Sequence, residues 1–367
     1  LVDEFNRQYK AHLNGGDAQL TPLRLHYKDF AQWQHDQLTG EVVSEAKNYW
    51  MQQFAGSIPV LQLPYDQPRP AVKTFNGAGM EMQIDTEVSS FLRKLSHEND
   101  GSLFMTLMGA VNVLLYHYSG QQDIIIGTPI AGRDHRDLEN QIGLYINTLA
   151  LRYQVEGGRS FKDFLTAVRT QTLEAYQYQH YPFDLLVEEL RLERDLSRSP
   201  LFDVMVLLND AHQMSHFSNE EVITSEYQFD RKLSKFDLTF SFEDSGDQMA
   251  LWLEYNTDLF SADRISAILD HFARLLTAVS QQTDASIDSF HYLSEHQASK
   301  LLAYSMGANV DLASETMLDA FQQQVSMHDK QRVVHFEGNS WTYEQLDRLS
   351  DHLAHYLQEQ YQVGAGS

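Results

Sequence analysis

Residues 124–152 read IIIGTPIAGRDHRDLENQIGLYINTLALR, and the fold turns on this stretch. Asp123-Ile124-Ile125-Ile126 is a short β-branched run that suits a core strand better than a helix. Gly127, Pro129 and Gly132, with Thr128 among them, are expected to break that strand at its end. A polar turn, Arg133 to Asp137, leads to a second β-type run from Leu144 to Leu151. It carries Asn147 and Thr148 where an amphipathic strand would prefer apolar residues. Strand ends that stop on Gly and Pro beside polar side chains are places where a protein can approach a substrate.

Working outward, the sequence alternates helices and strands. Asp100-Gly101-Ser102 caps a helix, Leu103 to Tyr118, that Ser119-Gly120 ends, so a helix feeds directly into the Ile124 strand as an α/β unit. Downstream, a helix from Ser160 to Tyr178 is broken at His180-Tyr181-Pro182, and Phe183 to Leu192 forms another. Phe202 to Leu208 reads as a buried strand. Phe236 to Phe242 and Met249 to Tyr255 read as a hairpin, and Ser261-Ala262-Asp263 caps a helix from Arg264 to Ser280. Upstream, helices are expected at Leu1–Leu13, Tyr27–Leu38 and Val43–Phe54. Ile58 to Lys73, with Pro59, Pro64, Pro68 and Pro70, reads as an extended segment crossing between two lobes. A strand from Gly79 to Ile84 precedes a helix opening at Asp85-Thr86-Glu87. Asp210 to Glu226 is polar and reads as a mobile loop.

Composition narrows the class. The 367 residues suffice for two domains or lobes, and 43% hydrophobic content supports a real core. No segment approaches the roughly 18 uninterrupted apolar residues of a membrane span. A net charge of -24 disfavours a nucleic-acid backbone as partner. The absence of cysteine excludes disulfides, thiolate nucleophiles and Cys-based zinc sites. Together these features lead us to expect a cytoplasmic protein without nucleic-acid or membrane partners. The start, Leu-Val-Asp-Glu-Phe, reads as the middle of a helix, so the chain is expected to be a piece of something longer.

Two metal-like patterns are discounted. His212 and His216, with Glu220 and Glu221 nearby, have helical spacing but neither an apolar face nor the HExxH arrangement. The run Glu243-Asp244-Ser245-Gly246-Asp247 lacks the ligand count of a calcium loop and reads as a hairpin turn. No metal is expected.

Four ordered segments carry a family resemblance. GTPIAGR followed by IGLYINTLALR is similar to the paired signature of the condensation domain of nonribosomal peptide synthetases. Tyr27 to Gln34 resembles that family's YxDFAxWQ segment, with Tyr27, Asp29 and Trp33 in place. Pro182-Phe183 with Val187 to Leu190 resembles its PFxxLVEEL segment, and Arg194 to Phe202 its RDLSRSPLF segment. These matches extend over about two thirds of the chain.

The resemblance implies an α/β, chloramphenicol acetyltransferase-like fold of two lobes with a substrate tunnel between them. It implies peptide-bond formation by aminolysis of a thioester, the substrates being delivered on phosphopantetheine arms by partner carrier proteins. No cofactor is then bound by the condensation part itself. The family's catalytic HHxxxDG is not in this sequence: His97-Glu98-Asn99-Asp100-Gly101 lacks the first His and reads as a turn and helix cap. The catalytic His is expected upstream of Leu1, which makes the N-terminal lobe incomplete and the chain by itself inactive. The condensation part is placed at 1–293, a linker at 294–313, and the start of an adenylation domain at 314–367, where WTYEQL resembles that family's opening segment. ATP and Mg would be needed only by the complete adenylation domain.

Thr128, Arg133, Tyr145, Asn147 and Thr148 are the expected tunnel residues. An Asn147 amide could hydrogen-bond a pantetheine amide or peptide carbonyl, or equally satisfy a buried strand edge. Arg133 could hold a phosphate or carboxylate, or pair with Asp134 or Asp137. Tyr27, Asp29, Trp33, Pro182, Phe183, Arg194 and Asp195 are expected to be structural. An epimerisation domain of the same fold, a non-catalytic carrier-binding scaffold and an unrelated CoA-dependent acyltransferase are the alternatives. Loss of partner surface around Asn147 predicts marginal stability or aggregation.

Overall fold

In a computed structural model of the chain, the described residues are 2–38, 41–210, 232–307 and 316–364. The expected mobile loop beyond residue 210, the His212/His216 pattern with Glu220 and Glu221, and the 308–313 part of the expected linker lie outside them. The chain divides into two compact units, Leu1–Ser294 and Glu295–Ser367.

The first unit is built on one sheet. Its strands are β1 (Gly77–Ile84), β2 (Asp123–Ile130), β3 (Asn147–Gln154), β4 (Val204–Asp210), β5 (Leu238–Asp244) and β6 (Met249–Asn256), in the order β1-β6-β5-β4-β2-β3. The β2/β4 and β4/β5 neighbours are parallel and the others antiparallel. The helices are α1 (Val2–Leu13), α2 (Tyr27–Gln37), α3 (Glu41–Gln53), α4 (Thr86–Glu98), α5 (Leu103–Ser119), α6 (Phe161–Gln177), α7 (Phe183–Leu190) and α8 (Ala262–Gln281). Their starts follow the sequence. Asp85, Ser102, Ser160 and Ser261 each accept a first-turn N–H with their side chain, and Gly120 ends α5 at φ 68.

α5 is apolar around its whole circumference, which suits a helix enclosed on all sides, and residues 105–115 are all buried. α4, α6 and α8 flank it on one face of the sheet. Tyr153 on β3 reaches Thr172 of α6 (2.7 Å), and Phe240 and Phe242 of β5 meet Phe272 of α8. Burying an aromatic ring as fully as Phe272 contributes roughly 1.5–3 kcal/mol. Arg152, next to Tyr153, points to the opposite face, as strand alternation requires, and holds Asp123 and the Gln53 and Ser57 carbonyls.

Two strand boundaries differ from the sequence reading. β2 does not stop at Gly127 but continues through Pro129 to Ile130. A Cβ on Gly127 would lie 2.0 Å from the Phe202 ring, so the glycine makes room for an aromatic rather than a break. Pro129 lies beyond the Gly127↔Met205 registration with β4, where a missing N–H removes no ladder bond on that side. β3 begins at Asn147 rather than Leu144, because residues 141–146 are held against α2 instead of against β2.

The segment 58–73 carries no helix or strand and is tied down by side chains. Asp66 caps the start of α8 through Ser261 and grips Arg264, and Arg69 engages Asp237 at the head of β5. Arg198 pairs with Asp203 at the head of β4 and bonds the Leu61 carbonyl (3.3 Å). Burial pushes the Asp203 carboxyl above its ordinary range, with Asp237 adding to the rise.

The second unit holds α9 (Glu295–Ser305), within the segment read as linker, then α10 (Met317–His328), β7 (Arg332–Phe336), β8 (Asn339–Thr342) and α11 (Tyr343–Tyr361). Glu337 and Gly338, at φ 49 and 81, form the two-residue turn between β7 and β8. α9, α10 and α11 bury no residue. No helix among the described residues is long and apolar enough to cross a membrane.

Candidate functional site

The signature residues converge where β2 ends and β3 begins. Gly132 sits at φ 61, and a Cβ there would strike the Tyr145 carbonyl oxygen at 2.0 Å, so only glycine lets the two segments meet. Arg133 follows. Its guanidinium donates to the Leu138 carbonyl and stacks over the Tyr145 ring, 4.1 Å from the centroid. Tyr145 is buried, which raises its phenol above the ordinary value, and its hydroxyl donates to Gln141 Oε1 (2.7 Å). Gln141 Nε2 in turn donates to the Leu25 and Asp137 carbonyls (2.7 and 3.0 Å). Tyr27 closes the circuit by donating to the Leu144 carbonyl (3.2 Å), and Phe30 and Tyr27 pack on the Tyr145 ring. The 132–146 loop is thus a built platform against α2.

Asn147 lies at the head of β3 and bonds across the fold. Its Nδ2 donates to the carbonyls of Gln179 and Tyr181 (2.9 and 2.8 Å), and Oδ1 accepts the Phe183 N–H (3.1 Å). Both Nδ2 protons and one Oδ1 lone pair are thus used inside the protein. Arg133 pairs with neither expected carboxylate. Asp134 faces His180, and Asp137 faces Arg24 and His135. Thr128 is 2% exposed within the sheet opposite Leu149, and so does not line an open wall, while Thr148 is half-buried opposite Pro129.

The motif residues expected to be structural serve local roles. Asp29 accepts the His26 N–H at the start of α2 (2.9 Å), and Trp33 stays half exposed beside Phe30. Pro182 opens α7, and Phe183 packs on Phe202. Asp195 caps Ser197. Arg194 makes no ion pair among the described residues and stands on the wall of a separate cleft of about 910 Å³. That cleft, between Ile58–Leu61, α7 and Phe202, touches β2 at Asp123 and Ile125 and contains none of the five expected tunnel residues. The string 97–101 lies at the turn from α4 to α5, with Asn99 ending α4.

Sequence reasoning passed over Gln141 and His180. His180 stood only as a helix break and Asp134 only as a partner for Arg133, because nothing local links positions 46 apart. No group of three His, Asp or Glu side chains is disposed to hold a metal among the described residues.

Against known proteins, the model of the Condensation domain family matches residues 1–302. Tyrocidine synthase 3 of Brevibacillus parabrevis is 38% identical over 360 residues, 98% of this chain, and Surfactin synthase subunit 1 of Bacillus subtilis (strain 168) is 36% identical over 356 residues. The chain spans only 5% and 10% of the length of those two proteins. Among solved structures, the X-domain from teicoplanin biosynthesis matches with a TM-score of 0.72 at 23% identity, covering 80% of this chain and 68% of that one. The nonribosomal peptide synthetase FmoA3 matches with a TM-score of 0.72 at 18% identity, covering 94% of this chain and 36% of that one.

Proposed function

The chain belongs to the condensation-domain family of nonribosomal peptide synthetases, and from that membership we propose that it is the C-terminal part of a domain joining two carrier-bound substrates. The reaction is aminolysis: the amine of an aminoacyl thioester attacks the carbonyl of an acyl or peptidyl thioester, a C–N bond forms, a C–S bond breaks, and a pantetheine thiol leaves. Alignment of two tethered substrates supplies much of the rate. The observation that carries the reading is the platform formed by Gly132, Arg133, Gln141 and Tyr145, because the signature residues in it are fixed on one another rather than scattered.

In this reading the HHxxxDG segment and the rest of the N-terminal lobe precede residue 1, and Arg133, Tyr145 and Thr148 border the substrate path. Phosphopantetheine arms belong to the partner carrier proteins. Residues 1–293 are the condensation part, 294–313 join it to the next domain, and 314–367 begin an adenylation domain, which in complete form takes ATP and Mg. Similarity to Tyrocidine synthase 3 running through 98% of the chain supports continuation of the synthetase beyond the condensation part. The setting is cytoplasmic.

The test uses carrier proteins loaded with an acyl donor and an aminoacyl acceptor, incubated with this chain and with a longer segment that includes HHxxxDG. Amide product from the longer segment alone, read by mass spectrometry, is the expected result. Carrier binding without product from either would instead establish a non-catalytic scaffold.

A further inference from the structure

Asparagine is followed by glycine twice in the sequence, at Asn14-Gly15 and at Asn76-Gly77. In such a pair the glycine nitrogen can reach the asparagine Cγ, because no Cβ crowds the ring that forms. The fold treats the two pairs differently. Asn14 follows α1, and the two glycines after it close the helix. Gly15 N–H donates to the His12 carbonyl (3.0 Å) and Gly16 N–H to that of Ala11 (2.9 Å), with Gly15 at φ 76. Asn14 Nδ2 adds an exposed bond to the Lys10 carbonyl (2.9 Å). A Cβ on Gly15 would meet nothing within 4 Å, and residues 12–17 are all exposed. A helix end with so little packed on it frays at small cost. Asn76 instead leads into β1 and is stitched on every side. Gly77 N–H donates to the Lys232 carbonyl (2.9 Å), the Asn76 carbonyl accepts Thr257 N–H (3.0 Å), and Asn76 Nδ2 donates to Asp258 (2.9 Å). A Cβ on Gly77 would lie 2.3 Å from the Leu233 carbonyl carbon, so the backbone there has no room to turn.

We propose that Asn14 is a site of spontaneous deamidation in the native protein, and that the fold protects Asn76 from the same reaction. Fraying of the last turn of α1 frees the Gly15 nitrogen, which attacks Asn14 Cγ. A C–N bond forms, the Cγ–Nδ2 bond breaks, and the amide nitrogen leaves as ammonia with the proton lost from Gly15. The cyclic imide then takes up one water, opening at either carbonyl to give aspartate or isoaspartate. Water is the one co-reactant. Both products exchange an amide for a carboxylate, which cannot donate to the Lys10 carbonyl and stands at the negative end of the helix dipole. Isoaspartate also lengthens the main chain by a methylene between α1 and Ala18, whose N–H and carbonyl are both held by the Gln8 side chain (3.2 and 3.4 Å). The modification therefore unhooks the end of α1 and the turn folded back along it.

The experiment ages the full-length protein in warm, mildly alkaline buffer, digests samples with trypsin, and follows two peptides by chromatography and mass spectrometry. Cleavage after Lys10 and Arg24 isolates residues 11–24, and cleavage after Lys73 and Arg93 isolates residues 74–93, each holding one asparagine. Residues 11–24 should gain the mass of an amide-to-acid exchange and split into two isomers. Residues 74–93 should convert about a hundredfold more slowly, because the strand must open first. In concentrated urea, where neither pair is held, the two peptides should convert at similar rates. Equal conversion of both peptides in the folded protein would overturn the proposal, as would an unchanged 11–24 peptide under conditions where urea-treated protein converts. Asn14→Gln should abolish the mass gain, and a gain that persists in this variant would place the change at Gln19 and overturn the assignment.

Discussion

Arg69 donates from Nη1 to Asp237 Oδ1 at 3.1 Å, joining residues 168 positions apart and tying the irregular 58–73 segment to the head of β5. Both side chains are withdrawn from solvent, Asp237 almost completely. Tyr65 shares the carboxylate (3.0 Å), and burial, with Asp237 beside it, pushes its phenol up to about 12. Removing one member of such a pair strands the other charge in the interior, which costs about 3–5 kcal/mol, whereas replacing both by apolar residues costs far less. Arg69→Leu is therefore expected to lower the unfolding free energy of the first unit by about that much in urea titrations. Arg69→Leu combined with Asp237→Leu should recover most of it. A double variant as unstable as the sum of the singles would show that the pair is not coupled.

Gly127 gives a second prediction. Its missing Cβ is the space occupied by the Phe202 ring, so Gly127→Ala overpacks the junction of β2 and β4 and should destabilise the unit by about 1–3 kcal/mol. Phe202→Leu in the same chain should restore part of the loss. An unchanged thermal midpoint in Gly127→Ala would mean that the ring moves aside freely.

Gly127 also shows where the sequence was legible and where it was not. Local signals located most elements: Asp85, Ser102, Ser160 and Ser261 mark helix starts because a side-chain cap acts within one turn. The apolar run at 124–126 marked strand β2 for the same local reason. The reason for Gly127 lies 75 residues away at Phe202, and a Gly read alone looks like a break. The pairing of β1 with β6, from Gly77↔Asn256 to Ile84↔Met249, likewise has no local signal. At the site, the signature residues were found, and Asn147 was weighed equally for a substrate role and for a strand edge, while its partners at 179–183 had no local signal. A side chain's hydrogen bonds across the fold are invisible to spacing arguments.

His117 gives a pH prediction. It lies at the end of α5, its ring 4.9 Å from that of Tyr292. Its Nε2 is buried without a partner. Burial holds its imidazole below the ordinary value, against the opposing pull of Asp288 and the Ile287 backbone. The folded state therefore binds fewer protons here than the unfolded chain does. This contribution to stability is fully present above the unfolded value of about 6.5 and is lost as pH falls from there through the depressed folded value. Urea midpoints at pH 7.5, 6.5 and 5.5 should decline, and His117→Leu should flatten part of the decline. Parallel curves for wild type and variant would remove His117 from the account.

The last prediction concerns the outward side of the platform. Along residues 141–146 the chain alternates as a strand does. Gln141 and Tyr145 are 4% and 5% exposed, and Gly143 fits under the Tyr27 ring, while Ile142, Leu144 and Ile146 are 73%, 74% and 65% exposed. The inner residues hold the segment rigidly, through the Tyr145–Gln141, Gln141–Leu25 and Tyr27–Leu144 bonds. Three aliphatic side chains are thus presented in a row on a fixed backbone. A stripe of this kind pairs readily with another apolar surface, because docking costs little ordering entropy. In the isolated chain the available surface is a second copy, so light scattering should show association that grows with concentration. Replacing Ile142, Leu144 and Ile146 together by Ser should shift the chain toward monomer while leaving the urea midpoint nearly unchanged, since none of the three is buried. Association that persists in this triple variant would place the sticky surface elsewhere, with the exposed Phe5, Tyr9 and Leu13 of α1 the next to replace.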